Sequence, residues 1–220
     1  QHDDAVQAVI IDHAEGRGFC AGGDIRMLAE SGAKDGVEAK QFFHTEYRLN
    51  HLLFSYAKPI VAVMDGITMG GGVGISQPAK YRVATENTRF AMPETGIGLF
   101  PDVGGGWFLP RLEGRTGVYL ALTGARINGA ECVSLGLATH YVPSENLADL
   151  KAQIIADPSA IEAILGGANV NTPPADIEAH IPKINALFAI DRYEVILDAL
   201  KSDGGEWAAA QLETLSSKSP

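Results

Sequence analysis

The chain has 220 residues, of which 46% are hydrophobic and 20% charged, the proportions of an ordinary globular protein. This argues against wholesale disorder and fibrous repeats. Its 17 basic and 27 acidic side chains give a formal charge of −10, a field that repels phosphate backbones and disfavours a general nucleic-acid-binding role.

Val6–Asp12 reads as a buried strand, because Val6, Ala8, Val9, Ile10 and Ile11 form an almost continuous apolar run. It ends in the glycine-bearing stretch Ala14–Gly23. Residues 37–56 read as a helix, with Phe42, Phe43, Tyr47, Leu49, Leu52 and Leu53 at three- and four-residue steps. Lys58-Pro59 breaks that pattern before a second buried strand, Ile60–Met64, and a turn at Asp65-Gly66. Met69–Gln77 is glycine-rich and opens a helix. Short strands follow at Tyr81–Ala84 and Arg89–Met92, then helices at Leu109–Thr123 and Ala130–Gly136, then a last strand at Ala138–Val142. Beyond Pro143 the chain turns Ala/Leu/Ile/Glu-rich, with helical periodicity in 147–156, 159–165, 177–189, 192–200 and 205–216. Connectors are expected at Asn169–Pro174 and Ser202–Gly205. No internal repeat is visible. Strands alternating with helices predict an α/β layered core followed by a helical segment.

Cys20 and Cys132 make neither a disulfide framework nor a metal set and fit a reducing compartment. No apolar run approaches the ~18–20 residues of a membrane span. The polar start Gln1-His2-Asp3-Asp4 lacks the basic region and apolar core of a signal peptide. Without an initiator Met, the chain reads as processed or as a piece of a longer one.

Ten of the 25 glycines fall between Gly66 and Gly106. A run such as Gly70-Gly71-Gly72 fills no core volume and costs conformational entropy. It is useful where a backbone must approach a ligand closely, and at a helix start it exposes N–H groups. Ala21-Gly22-Gly23-Asp24 is a second such turn. Two glycine turns could each aim an N–H at one carbonyl oxygen, as acyl chemistry requires; two tight turns for close helix packing are the plainer alternative. Met92-Pro93-Glu94-Thr95, followed by Gly98–Gly106, sets Glu94 and Asp102 in an apolar, glycine-rich context. Desolvation there raises a carboxylate pKa and suits acid–base work. The structural alternative has Glu94 capping a turn and Asp102 capping the helix around Trp107. Cys20 reads as a core residue, and His13, His44, His51 and His140 lack metal spacing. Gly70–Ile75 matches neither a P-loop nor a dinucleotide fingerprint.

Taken in order, these pieces resemble the crotonase (enoyl-CoA hydratase/isomerase) superfamily. The likeness rests on Gly18–Ile25, Lys58–Ala62, Gly66–Gly72, Met92–Thr95, Thr123–Ile127 and Gly136–Ala138. Within it, Met69–Gly74, Phe100–Gly106, the Glu46-Tyr47 pair and the helical tail are most similar to the 3-hydroxyisobutyryl-CoA hydrolase branch. The resemblance implies an α/β fold with a crotonase-like ββα spiral core over 1–143, lacking its first strand and helix, and an incomplete helical C-terminal segment over 144–220. It implies hydrolysis of a short branched 3-hydroxyacyl-CoA thioester in valine breakdown. The N–H groups of Gly23 and Gly71 would form the oxyanion hole, Glu94 would be the catalytic carboxylate, Asp102 and Glu46 would line the acyl pocket, and Arg26 would face the CoA phosphates. Coenzyme A would be part of the substrate, with no separate cofactor and no metal. No nucleic-acid or membrane partner is implied, and a homo-oligomer is left open. The compartment implied is the cytoplasm, or the mitochondrial matrix in a eukaryote.

One departure bears on the reaction. Hydratases of the superfamily carry a second catalytic glutamate two residues after the glycine triplet, and Gly74 stands there. Hydrolysis is therefore the better expectation, with hydration or isomerisation, or a non-catalytic acyl-CoA-binding role, as alternatives.

Overall fold

The computed structural model describes residues 3–14, 16 and 18–219. The Gln1-His2 part of the polar start lies outside the described residues. Two short strands, β1 (Val9–Ile11) and β2 (Gly18–Cys20), lead into helices α1 (Ile25–Gly32) and α2 (Val37–Phe54). The pattern then recurs as β3 (Ile60–Met64), β4 (Ile67–Met69) and α3 (Gly71–Ser76). It recurs again as β5 (Tyr81–Ala84), β6 (Arg89–Ala91), a 3-10 turn at Glu94–Ile97, α4 (Gly105–Phe108) and α5 (Thr116–Thr123). Strand β7 (Ile127–Asn128), helix α6 (Gly129–Ser134) and strand β8 (His140–Tyr141) close this part. Helices α7 (Leu147–Ala156), α8 (Ile161–Ala168), α9 (Ile177–Leu187), α10 (Tyr193–Asp203) and α11 (Glu206–Ser216) follow.

The first strand of each strand pair enters one sheet, in the order β1-β3-β5-β8, and the second enters another, in the order β2-β4-β6-β7. Every pairing is parallel except β6 with β7. This is the ββα spiral. The expectation of no internal repeat holds for residue identity but not for backbone: the strand–strand–helix unit recurs three times with unrelated side chains.

All five residues of β3 are buried, as a central parallel strand covered on both faces requires. Val61 and Val63 pack with Tyr81, Val83, Leu150, Ile154 and Leu165, under α7 and α8. Ile60 and Ala62 face Val9, Ile11, Leu53 and Tyr56, where the end of α2 lies. The largest cluster joins Met64, Phe90, Met92 and Leu120 to Ile184, Phe188, Leu200 and Leu215, so the helical tail shares a core with the spiral.

Several expected boundaries shift. The expected helix over 109–123 breaks into a 3-10 turn at Leu109–Arg111 and α5, because Gly114 between them has φ +63°, a backbone that no helix interior accepts. The first strand spans only Val9–Ile11 of the expected 6–12. Strands β2, β4 and β7 and helix α1 were not expected; each strand has only two or three residues, too few to set a period. Helix α1 does carry a start signal, since the Asp24 carboxylate accepts from Met27 N–H at 3.0 Å.

Candidate active site

Strands β2, β4 and β6 are parallel neighbours, with Cys20 paired to Thr68 and Thr68 to Phe90. Their C-terminal ends therefore lie side by side. Gly23 stands three residues after β2, Gly71 two after β4 and Glu94 three after β6. Equivalent points of three successive repeats thus converge where open parallel sheets place their ligands.

A cavity of about 190 Å³ opens there, lined by Gly23, Phe42, Glu46, Gly71, Glu94 and Asp102 among others. Five of the six expected site residues meet in it. The sixth, Arg26, does not line it; its guanidinium is exposed and pairs with Glu30 at 2.9 Å on the outer face of α1.

The two glycine turns touch. A Cβ on Gly22 would lie 3.1 Å from Gly71 N, and one on Gly71 would lie 3.7 Å from Gly23 N. Neither the Gly23 nor the Gly71 N–H is taken up by a backbone hydrogen bond among the described residues. Gly70 makes the approach feasible with φ +52° and ψ −120°, a region closed to side chains with a Cβ. The packing alternative holds for the next residues: a Cβ on Gly72 would collide with the Cys20 carbonyl. The run therefore serves a cavity at Gly70 and Gly71 and close packing beyond them.

Glu94 is 4% exposed, and neither carboxylate oxygen has a hydrogen-bond partner among the described residues. It opens a 3-10 turn without capping it through its side chain. Burial is the main cause that raises its pKa, with the like charges of Asp102 and Glu46 adding to it. The field of its own backbone N–H opposes in part, and the result is about 7. Its Oε1 lies 3.5 Å from the point where a Cβ on Gly70 would stand, and Glu46 Oε1 lies 2.7 Å from the same point on Gly71. Glu46 is also raised, by burial and then by Asp102. Glu94, dehydrated and titrating at about 7, can accept or donate a proton without a strong driving force either way.

Asp102 does not cap the following helix; Gly104 stands at that position, with φ +99°. The Asp102 carboxylate instead accepts from the Tyr47 hydroxyl at 2.8 Å. The Tyr47 pKa is raised by burial first and by that hydrogen bond second. Tyr47 thereby ties Asp102 to α2, a role the sequence alone did not assign. The available signal is spacing on α2. Phe42/Phe43, Glu46/Tyr47 and Asn50 recur at four-residue steps and share one helical face.

A model of the enoyl-CoA hydratase/isomerase family matches residues 1–220. The chain belongs to the enoyl-CoA hydratase/isomerase family. It is 45% identical to the mitochondrial 3-hydroxyisobutyryl-CoA hydrolase of Xenopus tropicalis, over 100% of this chain and 60% of that protein. It is 44% identical to the mitochondrial 3-hydroxyisobutyryl-CoA hydrolase of Homo sapiens, over 100% of this chain and 59% of that protein. The chain thus spans about 60% of the length of these relatives. Among solved structures, a carnitinyl-CoA dehydratase from Mycobacterium thermoresistibile matches with TM-score 0.94 and 39% identity, over 100% of this chain and 64% of that one. An enoyl-CoA hydratase from Rhodobacter sphaeroides 2.4.1 matches with TM-score 0.87 and 37% identity, over 100% and 63%.

In this member of the enoyl-CoA hydratase/isomerase family, position 74 has no room for a carboxylate. A Cβ on Gly74 would lie 2.6 Å from Val103 Cβ and 3.1 Å from Asn50 Oδ1. Val103 itself is held at φ +41°, a genuine outlier for a β-branched residue. All three cavity carboxylates therefore come from other points: α2, the turn after β6, and the loop before α4. Among the described residues no cluster of His, Cys, Asp and Glu could hold a metal ion, and no helix is long and apolar enough to cross a membrane. Cys20 and Cys132 are both unpaired thiols.

Proposed function

We propose that the chain carries the site for hydrolysis of a short branched 3-hydroxyacyl-CoA thioester, releasing the hydroxy acid and CoA. The observation that carries this reading is Glu94, buried with two unpartnered oxygens beside the two glycine turns, while position 74 is packed shut. The names of the two hydrolase relatives support the same reading and point to 3-hydroxyisobutyryl-CoA as the substrate and valine breakdown as the setting. Coenzyme A enters as part of the substrate.

In this mechanism the thioester oxygen accepts from Gly23 N–H and Gly71 N–H, and the charge it gains in the tetrahedral state is stabilised by donors already in place. Glu94 either attacks the carbonyl itself, giving an anhydride, or deprotonates the attacking water. The cavity, about 190 Å³, suits a small branched acyl group. Its apolar walls, Phe42, Phe43, Ile97 and Leu99, face the methyl side, and Asp102 and Glu46 take the substrate hydroxyl. Because both relatives are mitochondrial proteins, the matrix is the compartment we propose for a eukaryotic source, and two free thiols fit it.

Enoyl-CoA hydration is the second reading, favoured by the names of the two structural neighbours. It needs two carboxylates on one water, and Gly74 supplies none. Thiol release from 3-hydroxyisobutyryl-CoA decides between them. Hydrolysis frees CoA; hydration consumes the enoyl chromophore of an unsaturated thioester and frees none. Binding without either change would leave only a non-catalytic acyl-CoA-binding role.

A further inference from the structure

A second cavity, about 580 Å³, is lined in part by Val103 and shares no lining residue with the site above. Its walls are mostly apolar, with Phe54, Trp107, Phe108, Leu135 and Leu137 among them, and it also receives Arg82 and Arg111. That volume falls in the range of small-molecule pockets.

The two arginines are its unusual feature. In a chain of net charge −10, neither has a carboxylate within ion-pair distance among the described residues. Arg82 is part-buried, and its guanidinium donates only to neutral carbonyls: Leu137 at 3.0 Å, Ala79 at 2.8 Å and Gly136 at 3.3 Å. A guanidinium has five N–H groups, so two remain. Burial without an anion lowers its pKa. Arg111 sets its guanidinium carbon 3.3 Å from the Trp107 ring centroid and donates to the Trp107 carbonyl at 2.6 Å. Arg82 is the desolvated cation of the two, and such a charge is costly unless paired; Arg111 is exposed, and its planar fork matches a carboxylate in two-point geometry.

We propose that this cavity binds an amphipathic carboxylate, its apolar body against Phe54, Trp107 and Leu137 and its carboxylate on Arg82 and Arg111. The site is distinct from the acyl site: none of Gly23, Glu46, Gly71, Glu94 or Asp102 lines it.

The test is isothermal titration of the protein with octanoate and, as neutral control, 1-octanol. Octanoate should bind saturably at one site with a Kd under about 1 mM, and 1-octanol at least about tenfold more weakly. Arg111→Gln removes one of the two charged contacts to the carboxylate, so it should weaken octanoate about tenfold. Arg82→Gln should do the same, with folding checked by circular dichroism; the exposed Arg111 variant decides if that one unfolds. Glu94→Gln should leave binding unchanged. Equal affinity for octanoate and 1-octanol, wild-type affinity in Arg111→Gln, no saturable binding, or loss of binding in Glu94→Gln would each overturn the proposal.

Discussion

Val103 Cβ stands 2.6 Å from the position a Gly74 Cβ would occupy, so the strained loop after Asp102 fills the space that any side chain at position 74 would need. Gly74→Ala should push Val103 outward and cost about 1–3 kcal/mol, as overpacking does. That is a fall in Tm of several degrees for a chain of this size. Gly74→Glu should be less stable still and gain no hydration activity. A Gly74→Glu protein that melts at the wild-type temperature and hydrates an enoyl-CoA would refute the packing argument.

Glu94 works ionised in either proposed route, so activity should follow its deprotonation. With its pKa near 7, kcat/KM for the thioester should rise with pH through about 7 and fall about tenfold per pH unit below it. A profile that stays flat from pH 5 to 8 would remove Glu94 as the titrating group.

The same shift has a consequence for folding. A carboxyl whose pKa is raised in the folded state favours folding fully below its unfolded value of 4.5, and this contribution is lost as pH rises through about 7. Glu94→Gln should therefore stabilise the protein above pH 7, by up to about 3 kcal/mol, and make little difference near pH 4, while sharply lowering kcat and leaving acyl-CoA binding largely intact. Differential scanning calorimetry at pH 4 and pH 8 measures this. A folded variant releasing CoA at the wild-type rate would defeat the catalytic assignment.

Tyr47→Phe removes only the hydroxyl that donates to Asp102 at 2.8 Å. The bond is exposed, so its loss costs roughly 0.5–1.5 kcal/mol, the net worth of an ordinary hydrogen bond. The loss in kcat/KM should be up to about tenfold and larger for a 3-hydroxyacyl thioester than for the unsubstituted acyl-CoA. Asp102→Asn should share most of that loss, so the two changes should be non-additive. Strict additivity would mean that Tyr47 does not act through Asp102.

Gly71→Pro deletes one proposed oxyanion donor and should lower kcat by about 10²–10³. Gly71→Ala keeps the N–H but sets a methyl 2.7 Å from Glu46 Oε1. Its expected effect is a displaced Glu46 and a raised KM with kcat changed far less. Folding of both is checked by circular dichroism. A folded Gly71→Pro protein with near-normal turnover rules out that donor.

Much of this was legible in the linear sequence. Buried strands announce themselves as apolar runs, as at Ile60–Met64, and the tail helices by period, because both signals arise within a few residues of one another. The glycine turns and the carboxylates Glu94 and Asp102 could be picked out by residue type and by resemblance to the family. Tertiary structure decided what each of them does. Strands β2, β4 and β7 are too short to carry a period, yet the pairing of β2, β4 and β6 is what brings Gly23, Gly71 and Glu94 to one edge. Gly70 and Gly74 look alike in sequence; one turns the chain at a left-handed φ beside a cavity, and the other is a glycine because Val103 leaves no space. The Tyr47–Asp102 bond joins residues 55 positions apart. No local pattern encodes such a contact, since it exists only once α2 and the loop before α4 have packed against the same strands.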